Sequence, residues 1–374
     1  MEHERIIDHK KLEVRRVKKA DGDIISLLKE TVLGSPGGMR YSMQNTDERV
    51  RAYGEGLSFL ALYKRGIVKG AIGLCSRTTV NRGEGIPSVY LRYFAIQSAY
   101  QTERAPGRRR REQLVLADDS FKQKILTVIR DPQQVTGEEH FASSPHVMYA
   151  YVESRNERSR NMVHQAGYEY IRSFLTIAFS RFNPKTNNNV SRLKREEEAA
   201  MSRLLDEQYG DYCFYTDEFS FYDHKYYVLR KEGEIIAGVG AIPAQYRVVN
   251  VPGIWGWVMM KVLPHVPFFR RLFRPQEFRY IIFNAIYCRK GSEEHLPELF
   301  EAVCAQEGYH TALTWLDDHS RLYETLRTNR KMGALNRMLN AKPGLVYALF
   351  TGLTKEDTEK FYDSPAYISG FDFS

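Results

Sequence analysis

The chain has 374 residues, 43% hydrophobic and 27% charged, with a formal net charge of +8. That composition excludes wholesale disorder, and the length exceeds the roughly 250 to 300 residues at which a single core stops growing, so two domains are expected. No apolar run approaches the roughly 18 to 20 residues that cross a bilayer, and the opening Met1-Glu2-His3-Glu4-Arg5 is too polar for a secretory leader. A cytoplasmic protein with no integral membrane segment is the expectation. Cys75, Cys213, Cys288 and Cys304 form no CxxC pair, which points to buried thiols rather than a metal site or disulfides. The basic excess suits nucleotides, phosphorylated cofactors, nucleic acid or membrane headgroups and selects none of them.

In chain order, Leu12 to Val17 reads as a strand and Asp23 to Thr31 as a helix capped by Asp21 or Asp23. A loop rich in glycine and serine follows. Leu57 to Lys64 and Val68 to Thr79 form a hairpin about Arg65-Gly66, and Val89 to Ile96 is a third β-like run. A helix from about Ser120 carries Phe121, Ile125, Leu126 and Ile129 at spacings of three and four and stops before Asp131-Pro132. A strand from His146 to Glu153, a helix from Glu157 to Gln165 closed by Ala166-Gly167, and a strand from Tyr168 to Phe182 complete the order β-α-β-β-β-α-β-α-β.

Asn183 to Asn189 has no apolar residue and marks the boundary. It divides residues 1–182 from 195–374, with 183–194 as linker, and a cut there is expected to leave two folded halves. The second part has a helix from Arg195 to Asp206 and a hairpin of Lys225 to Arg230 and Ile235 to Val251 about Gly233. A strand from Phe278 to Tyr287, a helix from Ser292 to Gln306, a strand from Thr311 to Leu316, a helix from Asp318 to Thr328 and a strand from Gly344 to Thr351 then repeat the first order. The architecture is duplicated with little residue identity. An extra segment, Trp255 to Pro275, alternates Trp255, Trp257, Phe268, Phe269 and Phe273 with Arg270, Arg271 and Arg274. It reads as an amphipathic helix packed on its own sheet, as a lid, or as a peripheral membrane surface.

Two stretches carry a family resemblance. Val89 to Gln101, VYLRYFAIQSAYQ, resembles the fourth strand and the start of the pyrophosphate turn of the GNAT acyltransferase superfamily. Tyr151 to Tyr168, YVESRNERSRNMVHQAGY, resembles its fifth strand and following helix, with Asn156, Ser159 and Gly167-Tyr168 at the family's spacing. The resemblance implies an α/β (α+β) fold of two GNAT-like domains in tandem, each a mixed, mostly antiparallel sheet splayed between its fourth and fifth strands and flanked by helices. It implies acyl transfer from acetyl-CoA to a primary amine by direct attack. The cofactor arm would pair with Phe94, Ala95 and Ile96, and its phosphates would be met by Gln101, Arg104, Gly107 and Arg108 and by the region of Asn156.

The sequence departs from the family at Thr102 to Arg111, where four consecutive arginines replace a glycine-rich turn. That run either contacts phosphate or is a solvated loop. The family's tyrosine acid is replaced by Val163, leaving His164 beside it as a substitute acid or an exposed side chain. In the second part Leu322-Tyr323-Glu324-Thr325-Leu326 resembles the family helix, so Tyr323 is either the catalytic acid or a packed core residue. Two other functions fit the same residues: a non-catalytic module that binds a CoA thioester or another ligand, and a tandem-GNAT aminoacyltransferase using charged transfer RNA. Under the leading reading the acceptor is a small-molecule or peptide amine, nucleic acid is not a partner, and the protein is a monomer or homodimer. Acceptor pockets would be made by loops such as Gly34 to Asn45 and Trp255 to Pro275.

Overall fold

The structure, a computed structural model, describes residues 3–34, 37–97, 119–266, 269–338 and 342–374. The N half opens with β1 (His3–His9) and β2 (Leu12–Val17), then α1 (Gly22–Glu30), capped by Asp21, whose carboxylate accepts the Ile24 N–H. It continues through β3 (Arg40–Met43), α2 (Thr46–Ala52), β4 (Leu57–Lys64), β5 (Ile67–Asn81) and β6 (Glu84–Ile96). After α3 (Asp119–Val128), α4 (Pro132–Thr136) and β7 (His146–Glu153) come α5 (Glu157–Gln165) and β8 (Glu169–Ser180). The C half contains β9 (Val190–Arg192), α6 (Glu198–Tyr209), β10 (Tyr226–Lys231), β11 (Glu234–Asn250), α7 (Gly253–Lys261) and β12 (Phe278–Cys288). It ends with α8 (Leu296–Glu307), β13 (Thr311–Asp317), α9 (Arg321–Arg327), α10 (Ala334–Met338), β14 (Gly344–Thr351) and α11 (Lys355–Asp363). No helix among the described residues is long and apolar enough to cross a membrane.

All the strands join one sheet in the order β1-β2-β4-β5-β6-β7-β14-β8-β13-β12-β11-β10-β9, with β3 added on β11. The closing strands are exchanged between halves. β14 lies antiparallel between β7 and β8, in register from Gly344↔Glu153 to Thr351↔His146, while β8 pairs with β13 from Thr311↔Ser180 to Asp317↔Phe174. Each half therefore completes the sheet of the other, and either one alone would present a long unpaired edge to water.

The alternation along each strand sorts the core into faces. Phe121 and Leu126 of α3, Ile129 just after it and Val163 of α5 pack on Leu74, Val89, Met148 and Val152 of the N-half sheet. Met201 and Leu205 of α6 and Leu299, Phe300 and Val303 of α8 cover Val239, Ile281 and Phe283 in the C half. A third cluster is shared by both halves and includes Tyr90, Tyr149, Phe174, Ile282, Trp315 and Phe371.

Two sequence expectations need correction. The stretch 183–194 is not all linker, because Val190–Arg192 pairs with β10 from Leu229↔Val190 to Tyr227↔Arg192. The loop from Gly34 to Asn45 contains a four-residue strand that pairs with the far end of β11, Tyr246↔Met43 through Asn250↔Arg40. The strand exchange also argues against two separately folding halves. Residues 1–182 and 195–374 expressed alone are expected to aggregate or lack cooperative unfolding, whereas the two pieces co-expressed should elute as one folded complex. Size-exclusion chromatography with thermal melts checks this, and two monomeric, cooperatively melting halves would contradict it.

Candidate functional site

β6 runs parallel to β7 only from Ser88↔Val147 to Leu91↔Ala150. Just beyond, Tyr93 takes φ 52 and the pairing with β5 jumps from Gly73↔Arg92 to Ala71↔Ala95. Tyr93 and Phe94 thus stand opposite the single residue Ile72, a β-bulge that bends β6 away from β7. Gly73 makes room for it, since a Cβ there would lie 3.0 Å from the Tyr93 ring and 3.4 Å from the Arg92 carbonyl. Past the bulge, Gln97 donates its N–H to the Lys69 carbonyl at 2.9 Å. Alternation along the ladder then aims the peptide groups of Ile96 the other way, into the gap between β6 and β7. Phe94 is 40% exposed beside this edge, and Ala95 is buried.

The C half repeats the device. β12 is parallel to β13 only at Ile281↔Ala312 and Ile282↔Leu313, Ala285 takes φ 46, and the pairing with β11 jumps from Gly240↔Asn284 to Gly238↔Tyr287. Here the gap is filled by the chain itself. Asn284 Oδ1 accepts the Gly370 N–H at 2.8 Å and the Tyr367 hydroxyl at 3.3 Å, while its amide donates to the Phe219 carbonyl at 3.1 Å. Asp317 Oδ2 accepts the Ala366 N–H at 2.8 Å. Between Phe283–Ile286, Thr314–Asp317 and Ala366–Ile368 only about 20 Å3 stays free, room for about one water.

The same segment runs on into the N half. Asp372 accepts hydrogen bonds from both terminal nitrogens of Arg77, at 3.2 and 2.9 Å, and from the Tyr53 hydroxyl at 2.8 Å. Arg92, next to the bulge, donates to the Tyr53 hydroxyl and to the Ser374 main-chain oxygen at 3.1 Å. Phe371 stacks on Phe219 with ring centroids 3.8 Å apart, and Phe373 on Trp315 at 4.3 Å and Tyr151 at 5.5 Å. Burial works to lower the Arg77 pKa, but Asp372 and the surrounding phenols hold it well above the ordinary guanidinium value. Burial raises the phenols of Tyr90, Tyr149 and Tyr151 and pushes Tyr93 up to about 12, so all four are neutral donors at physiological pH.

No family model and no curated protein matches the sequence. Among solved structures, Saccharomyces cerevisiae N-myristoyltransferase with bound myristoyl-CoA is similar at TM-score 0.58 and 10% identity, over 98% of this chain and 90% of that chain. The same yeast enzyme with bound myristoyl-CoA and inhibitors is similar at TM-score 0.57 and 11% identity, over 97% of this chain and 87% of that chain. The chain has a tandem GNAT fold. At these identities the likeness speaks for the fold alone.

Within that fold, Phe94, Ala95 and Ile96 lie on the bulged edge of the N half, which has no strand partner on its β7 side among the described residues. Gln101, Arg104, Gly107 and Arg108 lie outside the described residues. Asn156 caps α5, its Oδ1 accepting the Ser159 N–H at 3.1 Å. Val163, in the slot of the family's tyrosine, is buried against the N-half sheet, and His164 is exposed on the last turn of α5. Tyr323 needs a correction of register. Ser320 Oγ caps α9 by accepting the Tyr323 N–H at 3.2 Å. Counted from the caps, Tyr323 matches Ser159, and Arg327 stands where Val163 does. Tyr323 is buried in the apolar cluster of the C half, beside the filled gap and in the opposite half from the Phe94–Ile96 edge.

Of the two loops expected to shape an acceptor pocket, the first is anchored on β11, the strand that leads into the second. Arg155, just before Asn156, donates to the Gly37 carbonyl, and the loop then enters β3, whose Tyr41 stacks on Tyr246 of β11 at 4.3 Å. α7 follows β11 directly. Arg77, Arg92, Tyr53, Asn284 and Asp372 escaped the sequence analysis; the one hint was a lone carboxylate inside the apolar run Tyr367 to Phe373. Replacing Asp372 by Asn removes the nearer of the two carboxylates on buried Arg77, leaving Glu218 at 3.6 Å, and should cost about 3 kcal/mol of stability. Urea unfolding of Asp372→Asn beside the double variant Arg77→Met/Asp372→Leu checks this, the double variant recovering most of the loss; a loss below about 1 kcal/mol, the level of an exposed pair, would contradict it.

Proposed function

We propose that the protein is an acyl-CoA-dependent N-acyltransferase whose N half holds the CoA thioester, with acetyl-CoA as donor, a primary amine on a small molecule or peptide as acceptor, and the cytoplasm as its place of action. The observation that carries this reading is the contrast between two equivalent gaps: beyond Leu91 the β6 edge has no partner among the described residues on its β7 side, whereas on β12 Gln208 and Tyr209 of α6 bond the Ile286 carbonyl and Gln208 accepts the Cys288 N–H, with Ala366–Ile368 packed beside Asn284. The pantetheine arm is an extended amide chain, and the inward-facing peptide groups of Ile96 suit it as a strand edge suits an added strand. A bound CoA thioester supplies an acyl group activated for attack. The likeness to an enzyme solved with myristoyl-CoA supports a thioester ligand for this fold.

The chain's own groups have two tasks. A peptide N–H of the bulged edge polarises the thioester carbonyl, stabilising the oxyanion that develops as the neutral amine attacks the carbonyl carbon and the C–S bond breaks. The 37–45 loop, paired with the far end of β11, gives the acceptor an approach from the C half. The amine proton is lost as the thiolate gains one, and with Val163 in the tyrosine slot water is the proton carrier. Val163 also favours a second reading, a module that binds the thioester without turnover.

Acetyl-CoA and free CoA, each near 100 times its dissociation constant, should stabilise the protein by about 2.7 kcal/mol and raise the melting midpoint by several degrees, with no shift from ATP. Acyl transfer to an amine panel, followed as thiol release, should then fall about 100- to 1000-fold in Ile96→Pro, which loses the gap-facing N–H and leaves the β5 ladder intact, at unchanged melting temperature. Tyr323→Phe should transfer normally. Binding without transfer to any amine would select the second reading; no shift with either CoA compound would overturn both.

A further inference from the structure

Between Glu234 and Glu277 the sequence contains no acidic residue and five basic ones: Arg247, Lys261, Arg270, Arg271 and Arg274. Among the described residues Arg274 is paired, with Glu277 at 3.2 Å, and the other four have no ion pair. The stretch is built around α7, whose inner side rests on the shared core through Met259 and Met260. Its outer side does the opposite of what an isolated globular surface does. Ile254 is 82% exposed and Trp257, one turn later, 61%, and Lys261 continues the same face. Val249, Val262 and Val266 extend the exposed apolar surface on either side. A cleft of about 490 Å3 between the end of β11 and α7 is lined by Arg247, Asn250, Trp257, Lys261 and Gln276.

We infer that this face docks on the surface of a bilayer containing anionic lipids. Ile254 protrudes from the helix, and Trp257, which also forms part of the cleft wall, is itself mostly exposed, so the pair suits insertion into a soft interface. Tryptophan favours the headgroup level, where its ring meets apolar chains and its N–H meets water. Lys261, Arg270 and Arg271 have long apolar stems that let their charges reach phosphates while the stems stay in the interface. Nine residues cannot span the bilayer, so the helix lies in the interfacial plane. The absence of any carboxylate over the whole stretch removes the repulsion that an anionic surface would otherwise exert, and each basic residue near such a surface adds to the attraction. The same face borders the far end of β11, where the 37–45 loop is paired, so docking would bring that approach close to the membrane.

The test is co-sedimentation of the full chain with phosphatidylcholine vesicles with and without phosphatidylglycerol. Binding at least about tenfold tighter to the phosphatidylglycerol vesicles is expected, weakening as salt rises. Ile254→Ser/Trp257→Ser and Arg270→Glu/Arg271→Glu should each reduce that binding by at least about tenfold with unchanged melting temperature, because all four side chains are exposed. Equal binding to both vesicle types, no binding at low salt, or variants that bind like the parent would overturn the inference. So would a dimer in size-exclusion chromatography that Ile254→Ser/Trp257→Ser dissolves while vesicles are ignored, which would assign the face to a second copy of the chain.

Discussion

The buried pair between Arg77 and Asp372 is the contact on which the arrangement of the two halves turns. A guanidinium and a carboxylate taken out of water are tolerated only with close geometry and further hydrogen bonds, and here the Tyr53 hydroxyl supplies one. Such a pair is intolerant of displacement, so it fixes where residues 365–374 lie. That segment must then cross from the C-half gap, where Ala366 and Gly370 are held by Asp317 and Asn284, to the N-half arginines. Phe371 and Phe373 stack along the route and fill the space between. The ion pair thereby ties the carboxyl-terminal segment to the shared core and to Arg92 beside the bulge, while Gln208 and Tyr209 hold the β12 edge.

The bulge itself shows how duplication and divergence act on one device. Tyr93 and Ala285 occupy the same backbone conformation, each opposite a strand with a glycine across from the residue before it. In the C half, Asn284 turns that geometry inward to hold the chain's own backbone. Its counterpart in the N half, Arg92, is drawn toward Tyr53 and Ser374, and the edge beyond the bulge has no strand partner on its β7 side among the described residues. The halves therefore have the same fold with differently lined gaps, and the exchange of β8 and β14 makes each sheet depend on the other half.

Much of the fold was legible because it is local. Hairpins about Arg65-Gly66 and Gly233, the Asp21 cap, the 3- and 4-spaced apolar residues of α3 and the Gly167 stop are short-range signals, and they give the repeated order of elements. The exchanged strands were not legible, since β14 between β7 and β8 is a choice of partner 190 or so residues away and leaves no mark on periodicity. β3 was too short to register as a strand. In the site, the Val89–Ile96 run and Asn156 were visible by resemblance, and the bulge at Tyr93 and Phe94 lies within that run. The register of Tyr323 went astray because a Leu-Tyr pair was matched in place of the distance from the cap, which Ser320 makes explicit. Asp372 and Arg77 carry no pattern, because a buried ion pair joins residues 295 apart in the chain.

The central claim is that one of two equivalent gaps is open to a CoA thioester and the other is closed by the chain. Hydrogen–deuterium exchange of the full-length protein with and without saturating acetyl-CoA tests it most directly. The account predicts added protection at Phe94 to Gln97 and no change at Ala285 to Cys288. Protection at Ala285 to Cys288 with Phe94 to Gln97 unaltered would contradict it.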